Sequence, residues 1–421
     1  MTQAHSTKTS ESGSRLPWRW PLYVQTLVAM LLGAVLGLWL GKQIAPIAVI
    51  AKWIVEVIKW LAVPLLFLAI FDAIVKQEFR GKGVAAMFAI SLGNGLCAVA
   101  IGLAISNGFH PGRTMDLRGA DAAALAGKTF KGADTTPVQA LWMMAQSPMV
   151  LAIAAAIGVG LAFVMLTRRP LLAHHPLIVR TPELAERGLR LLTRILEAIV
   201  KLTPLAVLAS VAKVFGEHGT SLVGGLLAYL LVCLGGMALH VGLVYHGWVV
   251  VIARIGVRRF WAAAREPVVY AFGVNSSLAT LPVTLRALEQ IGVSKGAARL
   301  SACVGTNFNN DGILLYEVVA VLFLGQAYGV ELPLAEQLLT ALICVAATIG
   351  VGGIPEAGII SLALVLTAVH LPVEAIALLL SVDWLIARTR SVVNVLGDMT
   401  VAVAIDVVQG RQPPAAADSA S

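Results

Sequence analysis

Long uncharged stretches recur along the chain and are separated by short clusters of lysine and arginine. The first stretch covers residues 21–41, and others follow at 60–71, 84–109, 136–167 and 220–253. A stretch of about 20 apolar residues is long enough to cross a bilayer as a helix. The basic clusters fall in alternate connections, as is typical of cytoplasmic loops. The pattern therefore predicts an all-α polytopic membrane protein with both termini in the cytoplasm.

The composition of the 421-residue chain supports this class. It is 58% hydrophobic and 13% charged, with a mean hydropathy of +0.85, which is too apolar for a soluble protein of this length. The net charge of +8 comes largely from the loops, so we expect the lipid bilayer as a partner and no nucleic acid. All four cysteines lie in apolar stretches, which argues against disulfides and against a metal cluster.

Polar segments separate and flank the apolar stretches. Residues 1–20 and 409–421 are predicted to be cytoplasmic tails, and the first lacks the cleavage site of a signal peptide. Residues 110–135 are predicted to form an external loop. The basic segment 167–180 is predicted to be a cytoplasmic linker, after which Arg190 belongs to the polar start of the next helix. Pro64 predicts a kink in the second helix.

Two segments do not fit a simple crossing of the membrane. Basic residues bracket 254–299 on both sides of the short uncharged stretch 267–285, so this segment should enter the bilayer and return. Its centre, NSSLATLP at 275–282, has the small and hydroxyl residues of an irregular backbone that lines a cavity. A second interrupted stretch, ATIGVGGIPEAG, lies at 347–358. Paired interruptions of this kind indicate the midplane site of a transporter.

The helix that follows each interrupted segment has a polar centre, GTNFNNDG at 305–312 and RSVVNVLGD at 390–398. In the second, Arg390, Asn394 and Asp398 recur every four residues and share one helical face. A charge at membrane depth costs roughly 2.5–3.5 kcal/mol, so such residues usually face a cavity. The face therefore predicts a site for an anion and a cation. The alternative is a buried ion pair that only locks helices together.

Two histidines lie in the uncharged stretch at 220–253. His240 and His246 are six residues apart, which does not put them on one face of a helix. We interpret both as packing or interfacial residues. Trp248 lies near the end of the same stretch and is interpreted as part of an aromatic belt.

The ordered motifs NSSLATLP, NNDG, GGIPEAG and RSVVNVLGD resemble those of the dicarboxylate/amino acid:cation symporters, from about residue 21 to 408. The resemblance implies eight transmembrane helices plus two re-entrant helical hairpins, inverted repeats, a homotrimer and an elevator-type transporter. Residues 21–82 and 136–216 would form the scaffold, and 83–109 and 220–408 the mobile transport domain. KLTPLAVL at 201–208 faintly echoes KWLAVPLL at 59–66, as a repeat would.

The resemblance also implies roles for residues of the substrate site. Arg390 would hold the distal carboxylate of the substrate through its planar fork, and Asn394 would contact the substrate. Backbone donors from Ile354 to Gly358 would cover the ligand as an external gate. Further candidates for substrate binding are Ser276, Ser277, Arg388 and Ser391.

Two departures from the family pattern bear on the substrate. Ala387 stands where amino acid carriers have an aspartate that grips the ammonium group, and a buried cation needs an anionic partner. Ile313 replaces a threonine that supports the distal carboxylate, so the pocket is more apolar than usual. We therefore expect a dicarboxylate that lacks an α-amino group.

Sodium is the coupling ion implied by the resemblance, and no other cofactor is expected. Asp398 and Asp311 match sodium-ligating carboxylates, and hard oxygen ligands suit a hard cation. The other candidate ligands are Asn94, Gly305, Asn307, Asn309, Thr348, Ile349, Val351 and Asn394. Asn310 replaces a family methionine, and Asn94-Gly95 replaces a Thr-Ser pair of another sodium site, which leaves the number of coupled ions open. Glu317 matches a proton-carrying glutamate, or else neutralises Arg388 or Arg390.

The sequence thus predicts a sodium-coupled secondary active symporter that imports a dicarboxylate across a bacterial inner membrane. The alternatives within transport are a proton-coupled organic acid symporter and an acidic or neutral amino acid symporter. From another class, the same basic site would suit an anion channel or a membrane sensor. An enzyme is not expected, because no nucleophile and base lie together near the polar helices.

Overall fold

The computed structural model describes residues 22–76, 82–117, 148–167, 175–218, 222–330, 332–351 and 357–411. These residues form helices and no strands, which confirms the all-α prediction. The tail predicted at 1–20, the part of the external loop from 118 onward, and residues 412–421 lie outside the described residues.

The described residues form fourteen α-helices, labelled here in chain order. The first seven are α1 Leu22–Leu40, α2 Ala48–Lys76, α3 Lys82–Phe109, α4 Pro148–Thr167, α5 Pro176–Val200, α6 Thr203–His218 and α7 Leu222–His240. The others are α8 Val257–Val274, α9 Ser277–Ile291, α10 Lys295–Arg299, α11 Asp311–Ala327, α12 Leu334–Val351, α13 Ala357–Ala368 and α14 Ile376–Val408. Two π-helical turns, Val241–Tyr245 and Gly247–Ile252, continue α7, and further irregular turns at 300–307 separate α10 from α11.

Four helical segments among the described residues are long and apolar enough to cross a membrane. They are Gly83–Thr114, Val223–Ile252, Lys295–Ala327 and Val373–Val408, and four shorter apolar helices accompany them. Large apolar side chains such as Trp39, Trp53 and Trp60 are exposed on the outer helices, as expected where the solvent is lipid. The protein is therefore a helical membrane protein, while the total of eight crossings stays a prediction.

The helices near the N-terminus pack mainly with one another. α1 lies along α6, and α2 packs against α4, α5 and α6. The contact between α1 and α6 uses Gly33 and Gly37, a pair of glycines four residues apart. A Cβ on Gly33 would lie 2.7 Å from the carbonyl oxygen of Leu208, so the small residues allow the two backbones to approach closely.

The predicted polar start at Arg190 differs from the structure. The linker becomes helical at Pro176, and α5 runs from there to Val200 as an amphipathic helix before α6 begins at Thr203. Pro176 and Pro204 both lie in the first turn of a helix, where the missing N–H has no intrahelical partner to lose. Two arginines of α5 form exposed ion pairs along the helix, Arg187 with Glu183 and Arg190 with Glu186.

Both interrupted segments form pairs of packed helices. α8 packs against α9, and the turn between them is only Asn275 and Ser276. Asn275 has a left-handed backbone with φ of 53°, which asparagine tolerates better than most residues. α12 packs against α13, and the turn that joins them lies outside the described residues. Both segments therefore contain a pair of packed helices, called here the first and the second hairpin, while re-entrant insertion into a membrane stays a prediction.

α11 forms the centre of the second group of helices. It packs against α3, α7, α13 and α14, and every residue of α11 except Gln326 is buried. α14 in turn packs against α8 and α9 of the first hairpin. This packing brings the polar start of α11, the middle of α14 and both hairpins together.

A candidate substrate and cation site between two hairpins

The interrupted start of α11 is fixed to the middle of α14 by Asn394. Its Oδ1 accepts from the backbone N–H of Gly312 at 3.0 Å, and its Nδ2 donates to Oδ1 of Asn310 at 3.3 Å. A Cβ on Gly312 would lie 2.8 Å from the carbonyl oxygen of Arg390, so glycine is required for this approach. Asn394 therefore lies buried where α11 meets α14, and its contact with substrate stays a prediction.

Arg390 is the one buried lysine or arginine among the residues whose side chains the structure describes. Its guanidinium donates from Nη1 to Oδ1 of Asp383 at 3.0 Å and from Nη2 to Oδ2 at 3.4 Å. The Cζ atom lies 4.0 Å above the ring of Tyr316, a cation–π contact. The guanidinium is therefore oriented as a fork that can present donors to a carboxylate.

The second hairpin reaches the guanidinium through Gly358. A Cβ at this position would lie 2.6 Å from Cζ of Arg390 and 2.7 Å from Nη1. The backbone of α13 therefore lies directly against the charged group, and a larger side chain would displace it. Ile354 lies outside the described residues.

The first hairpin reaches α14 through Asn275 in its turn. The hydroxyl of Ser391 donates to Oδ1 of Asn275 at 3.0 Å. Ser276 caps α9, because its Oγ accepts from the backbone N–H of Ala279 at 3.2 Å. Ser277 is the first residue of α9 and is half-buried. These serines therefore lie near the middle of α14, and their contact with substrate stays a prediction.

Three other candidates for the substrate site differ in burial and in their contacts. Arg388 is half-buried, and its Nη1 donates to the carbonyl oxygen of Trp384 at 3.0 Å, within its own helix. Ala387 and Ile313 are both buried and contribute only apolar atoms from their side chains. The position that would face an ammonium group thus carries no charge.

Asp398 lies two helical turns beyond Arg390 and is buried. Its Oδ1 accepts from Nδ2 of Asn309 at 3.3 Å, while Oδ1 of Asn309 is itself buried without a hydrogen-bond partner. Ser301 donates to the carbonyl oxygen of Asp398 at 2.6 Å. An unpartnered buried oxygen beside a carboxylate fits a hard cation such as sodium. Gly305 is another predicted ligand. Its carbonyl oxygen accepts from the backbone N–H of Asn309 at 2.9 Å and so closes the turn that leads to Asn309.

Asn310 joins the same turn to the second hairpin. Its Nδ2 lies 3.3 Å from the carbonyl oxygen of Asn307 and 3.4 Å from that of Thr348 on α12. The predicted ligands Ile349 and Val351 follow at the end of α12, and their side chains lie outside the description. The carbonyl oxygens of Asn307 and Thr348 thus lie near the same amide group, that of Asn310. Metal binding by Asn307, Thr348, Ile349 and Val351 stays a prediction.

Asp311 and Asn94 are contacted from α7 and its π-helical turns. Tyr245 donates to Oδ2 of Asp311 at 2.8 Å, and Nε2 of His240 lies 3.3 Å from the same oxygen. The indole N–H of Trp248 donates to Oδ1 of Asn94 at 2.9 Å. The indole nitrogen of Trp248 is thus committed to an internal partner, while a place for its half-buried ring in an aromatic belt stays a prediction.

Acidic residues dominate the buried charged positions. Glu317 is fully buried on α11, one turn beyond Ile313. The buried acidic residues among those described are Asp311, Glu317, Asp383, Asp398 and Asp406. The guanidinium of Arg390 is bonded to Asp383, and a buried carboxylate without such a partner needs a cation or strong donors beside it to stay ionised.

Sequence reasoning missed the α7 contacts and the partner of Arg390. Asp383 precedes Arg390 by seven residues, which is two helical turns on the same face, so the spacing contained a usable signal. His240 and Tyr245 are five residues apart, which is not a same-face spacing in an α-helix. The π-helical turn between them changes the direction in which the later side chains of the helix point. The apolar sequence contains no signal that predicts this turn.

Comparison with known proteins agrees with this arrangement. The sodium:dicarboxylate symporter family matches residues 22–408. The C4-dicarboxylate transport proteins of Rhodopseudomonas palustris strain BisB18 and of Rhodospirillum rubrum are each 28% identical over 93% of this chain and 89% of their own length. The mouse excitatory amino acid transporter 4 is 34% identical over 52% of this chain and 40% of its own length. These relatives are transporters, not enzymes. Because the family match covers nearly the whole apolar region, this chain belongs to the sodium:dicarboxylate symporter family.

Proposed function

We propose that this protein is a sodium-coupled symporter that imports a dicarboxylate lacking an α-amino group. The observation that carries the proposal is the buried guanidinium of Arg390 together with the buried, uncharged Ala387 three residues before it on α14. One end of a diacid would bind this fork. No carboxylate stands at 387 to receive an ammonium group.

The contacts of Arg390 suggest how a diacid is held. Asp383 and Tyr316 orient the guanidinium, and Gly358 places the backbone of the second hairpin against it. A substrate carboxylate would then bind the guanidinium by displacing part of the Asp383 contact. Asn394 lies one turn away on the same face and would contact the rest of the substrate. The names of the two bacterial relatives agree with a four-carbon diacid.

Asp398 supports the assignment of sodium as the driving ion. Its carboxylate and the unpartnered Oδ1 of Asn309 supply oxygen ligands in a buried position. Binding of sodium there would neutralise the carboxylate and fix the turn at 305–310. That turn also carries Asn310, which contacts Asn394, so cation binding and substrate binding would share one element.

The helix packing supports an elevator mechanism. In this proposal α1, α2, α4, α5 and α6 form the scaffold at 21–82 and 136–216. The transport domain, at 83–109 and 220–408, is formed by α3 and the helices from α7 to α14. The scaffold would assemble as a homotrimer in the bacterial inner membrane with both termini cytoplasmic. Gly358 places the backbone of the second hairpin against the guanidinium of Arg390. The second hairpin would therefore have to open to admit the substrate and close over it.

A proton-coupled organic acid symporter is the second candidate. The observation that favours it is Glu317, whose carboxyl group is fully buried on α11 near the proposed substrate site. In that case a pH gradient without sodium would drive uptake.

A thermal-shift screen of the purified protein tests the substrate class. Succinate should raise the melting temperature when sodium is present, because a ligand that binds only the folded state stabilises it by mass action. L-Aspartate should produce a smaller shift. A larger shift with L-aspartate than with succinate would support an amino acid symporter. Substrate counterflow in liposomes separates a carrier from a channel or a sensor, since only a carrier shows saturable exchange.

A further inference from the structure

Three donors from one helix are directed at two of the predicted sodium ligands. α7 and its π-helical turns carry His240, Tyr245 and Trp248, and their partners are Asp311 and Asn94. The two acceptor side chains come from α11 and α3, so the cluster lies where three helices meet. It is separate from the contacts of Arg390 and Asp383.

One oxygen of the Asp311 carboxylate, Oδ2, is contacted by two side chains of the protein. Its Oδ2 accepts from Tyr245 at 2.8 Å and lies 3.3 Å from Nε2 of His240, whose imidazole is fully buried. Nδ1 of His240 has no hydrogen-bond partner. We therefore assign the hydrogen to Nε2, which leaves Nδ1 as a bare acceptor and gives Asp311 a second donor.

Asn94 is also occupied by a protein donor. Trp248 uses its indole N–H on Oδ1 of Asn94, which fixes the amide so that Nδ2 is the remaining group, and Nδ2 is buried without a partner. The next residue, Gly95, offers no side-chain oxygen, although a Cβ there would lie 3.8 Å from Oδ1 of Asp311. Of the two oxygen ligands expected from α3, the amide oxygen of Asn94 already accepts a hydrogen bond, and Gly95 has no hydroxyl to offer.

This arrangement does not fit a sodium ion. Sodium needs several oxygen lone pairs directed at one point. Here O–H and N–H groups direct their positive ends at those oxygens, and the nearby unpartnered amide group is itself a donor. We propose that His240, Tyr245 and Trp248 replace a coupling sodium ion at Asp311 and Asn94. The proposal rests on the proposed function only in taking sodium as the ion that binds elsewhere, at Asp398.

The consequence is a sodium response that depends on Asp398 and not on Asp311. Tyr245 and His240 are positioning residues in this account, because they hold the start of α11 against α7 in every state of the transporter. A sodium site at Asp311 would instead leave that contact dependent on the ion.

Thermal unfolding in sodium chloride tests the proposal without any organic acid. Choline chloride replaces sodium chloride at constant ionic strength, and the rise in melting temperature with sodium is recorded. Asp311→Asn should leave this rise unchanged, while Asp398→Asn should remove most of it. Asp406→Asn serves as the matched control, because Asp406 is a buried carboxylate held by Ser294 at 2.6 Å and 2.7 Å. A smaller sodium response in Asp311→Asn than in Asp406→Asn would overturn the proposal.

A gain-of-function variant keeps the test decisive if Asp311→Asn fails to fold. Tyr245→Phe combined with Gly95→Ser removes one donor from Asp311 and adds a hydroxyl oxygen near its other carboxylate oxygen. This double variant should acquire a sodium response larger than that of the wild type. An unchanged or smaller response would show that the hydroxyl of Tyr245 does not stand in place of the ion and would overturn the proposal as stated. A wild-type protein without any sodium response would refute the proposed coupling and would still agree with the absence of sodium at Asp311.

Discussion

Lysine at position 390 would keep a positive charge beside Asp383 but remove the planar fork of donors. The structure explains why this substitution is more informative than alanine. Asp383 is buried and bonded to both terminal nitrogens of Arg390. Arg390→Ala would leave that carboxylate unpaired, which typically destabilises a protein by about 3–5 kcal/mol. Loss of transport in the alanine variant would then report folding as much as substrate binding.

The expected loss of affinity follows from the number of donors. A lysine ammonium that stays beside Asp383 can offer a point charge to the substrate but not two parallel N–H groups. One charge-assisted hydrogen bond contributes about 1.5–3 kcal/mol. Because each 1.4 kcal/mol is a factor of ten in the dissociation constant, we expect succinate to bind roughly 10- to 150-fold more weakly.

Isothermal titration of succinate in the presence of sodium measures this change. Arg286→Lys provides the matched control, because Arg286 makes an exposed ion pair with Glu266 at 3.2 Å on the first hairpin. Exposed pairs of this kind contribute about 0–1 kcal/mol, so the control should bind succinate as the wild type does. An Arg390→Lys variant with unchanged succinate affinity would refute the role of the guanidinium as the substrate anchor.

Three further predictions concern the cation, the substrate class and the second hairpin. Asp398→Asn should weaken the sodium dependence of succinate binding at least about tenfold, since the proposed site loses its full negative charge; an unchanged sodium titration would count against that site. Ala387→Asp should lower affinity for succinate and raise it for L-aspartate, because it supplies a partner for ammonium and repels a diacid; competition binding decides this. Gly358→Ala should weaken succinate binding about tenfold, because the added Cβ would lie 2.6 Å from Cζ of Arg390; calorimetry at wild-type affinity would show that the guanidinium can move aside freely.

Local spacing predicted the parts of the site that lie on one helix. The four-residue repeat of Arg390, Asn394 and Asp398 put these side chains on a common face, and the structure buries all three. The hairpins were likewise predicted from their charges and small residues. Such features depend on helical periodicity and on the cost of burying a charge in a membrane. Both can be judged from the positions of the charged and apolar residues in the sequence.

Residue spacing alone did not predict the contacts between distant helices, for identifiable reasons. The approach of α11 to α14 depends on Gly312 and on the turn at 305–310, whose geometry is set by packing from several helices. The contact of His240 with Asp311 depends on π-helical turns that alter the register of α7. The start of α5 at Pro176 was not predicted, because a basic amphipathic helix and a basic linker have similar composition.

Uptake of labelled succinate into proteoliposomes tests sodium-coupled diacid import most directly. An inward sodium gradient is imposed in one set of vesicles, and an inward proton gradient without sodium in another. Our account predicts transient accumulation of succinate above equilibrium in the first set and none in the second. Accumulation driven by the proton gradient alone, or equal uptake with and without sodium, would contradict it.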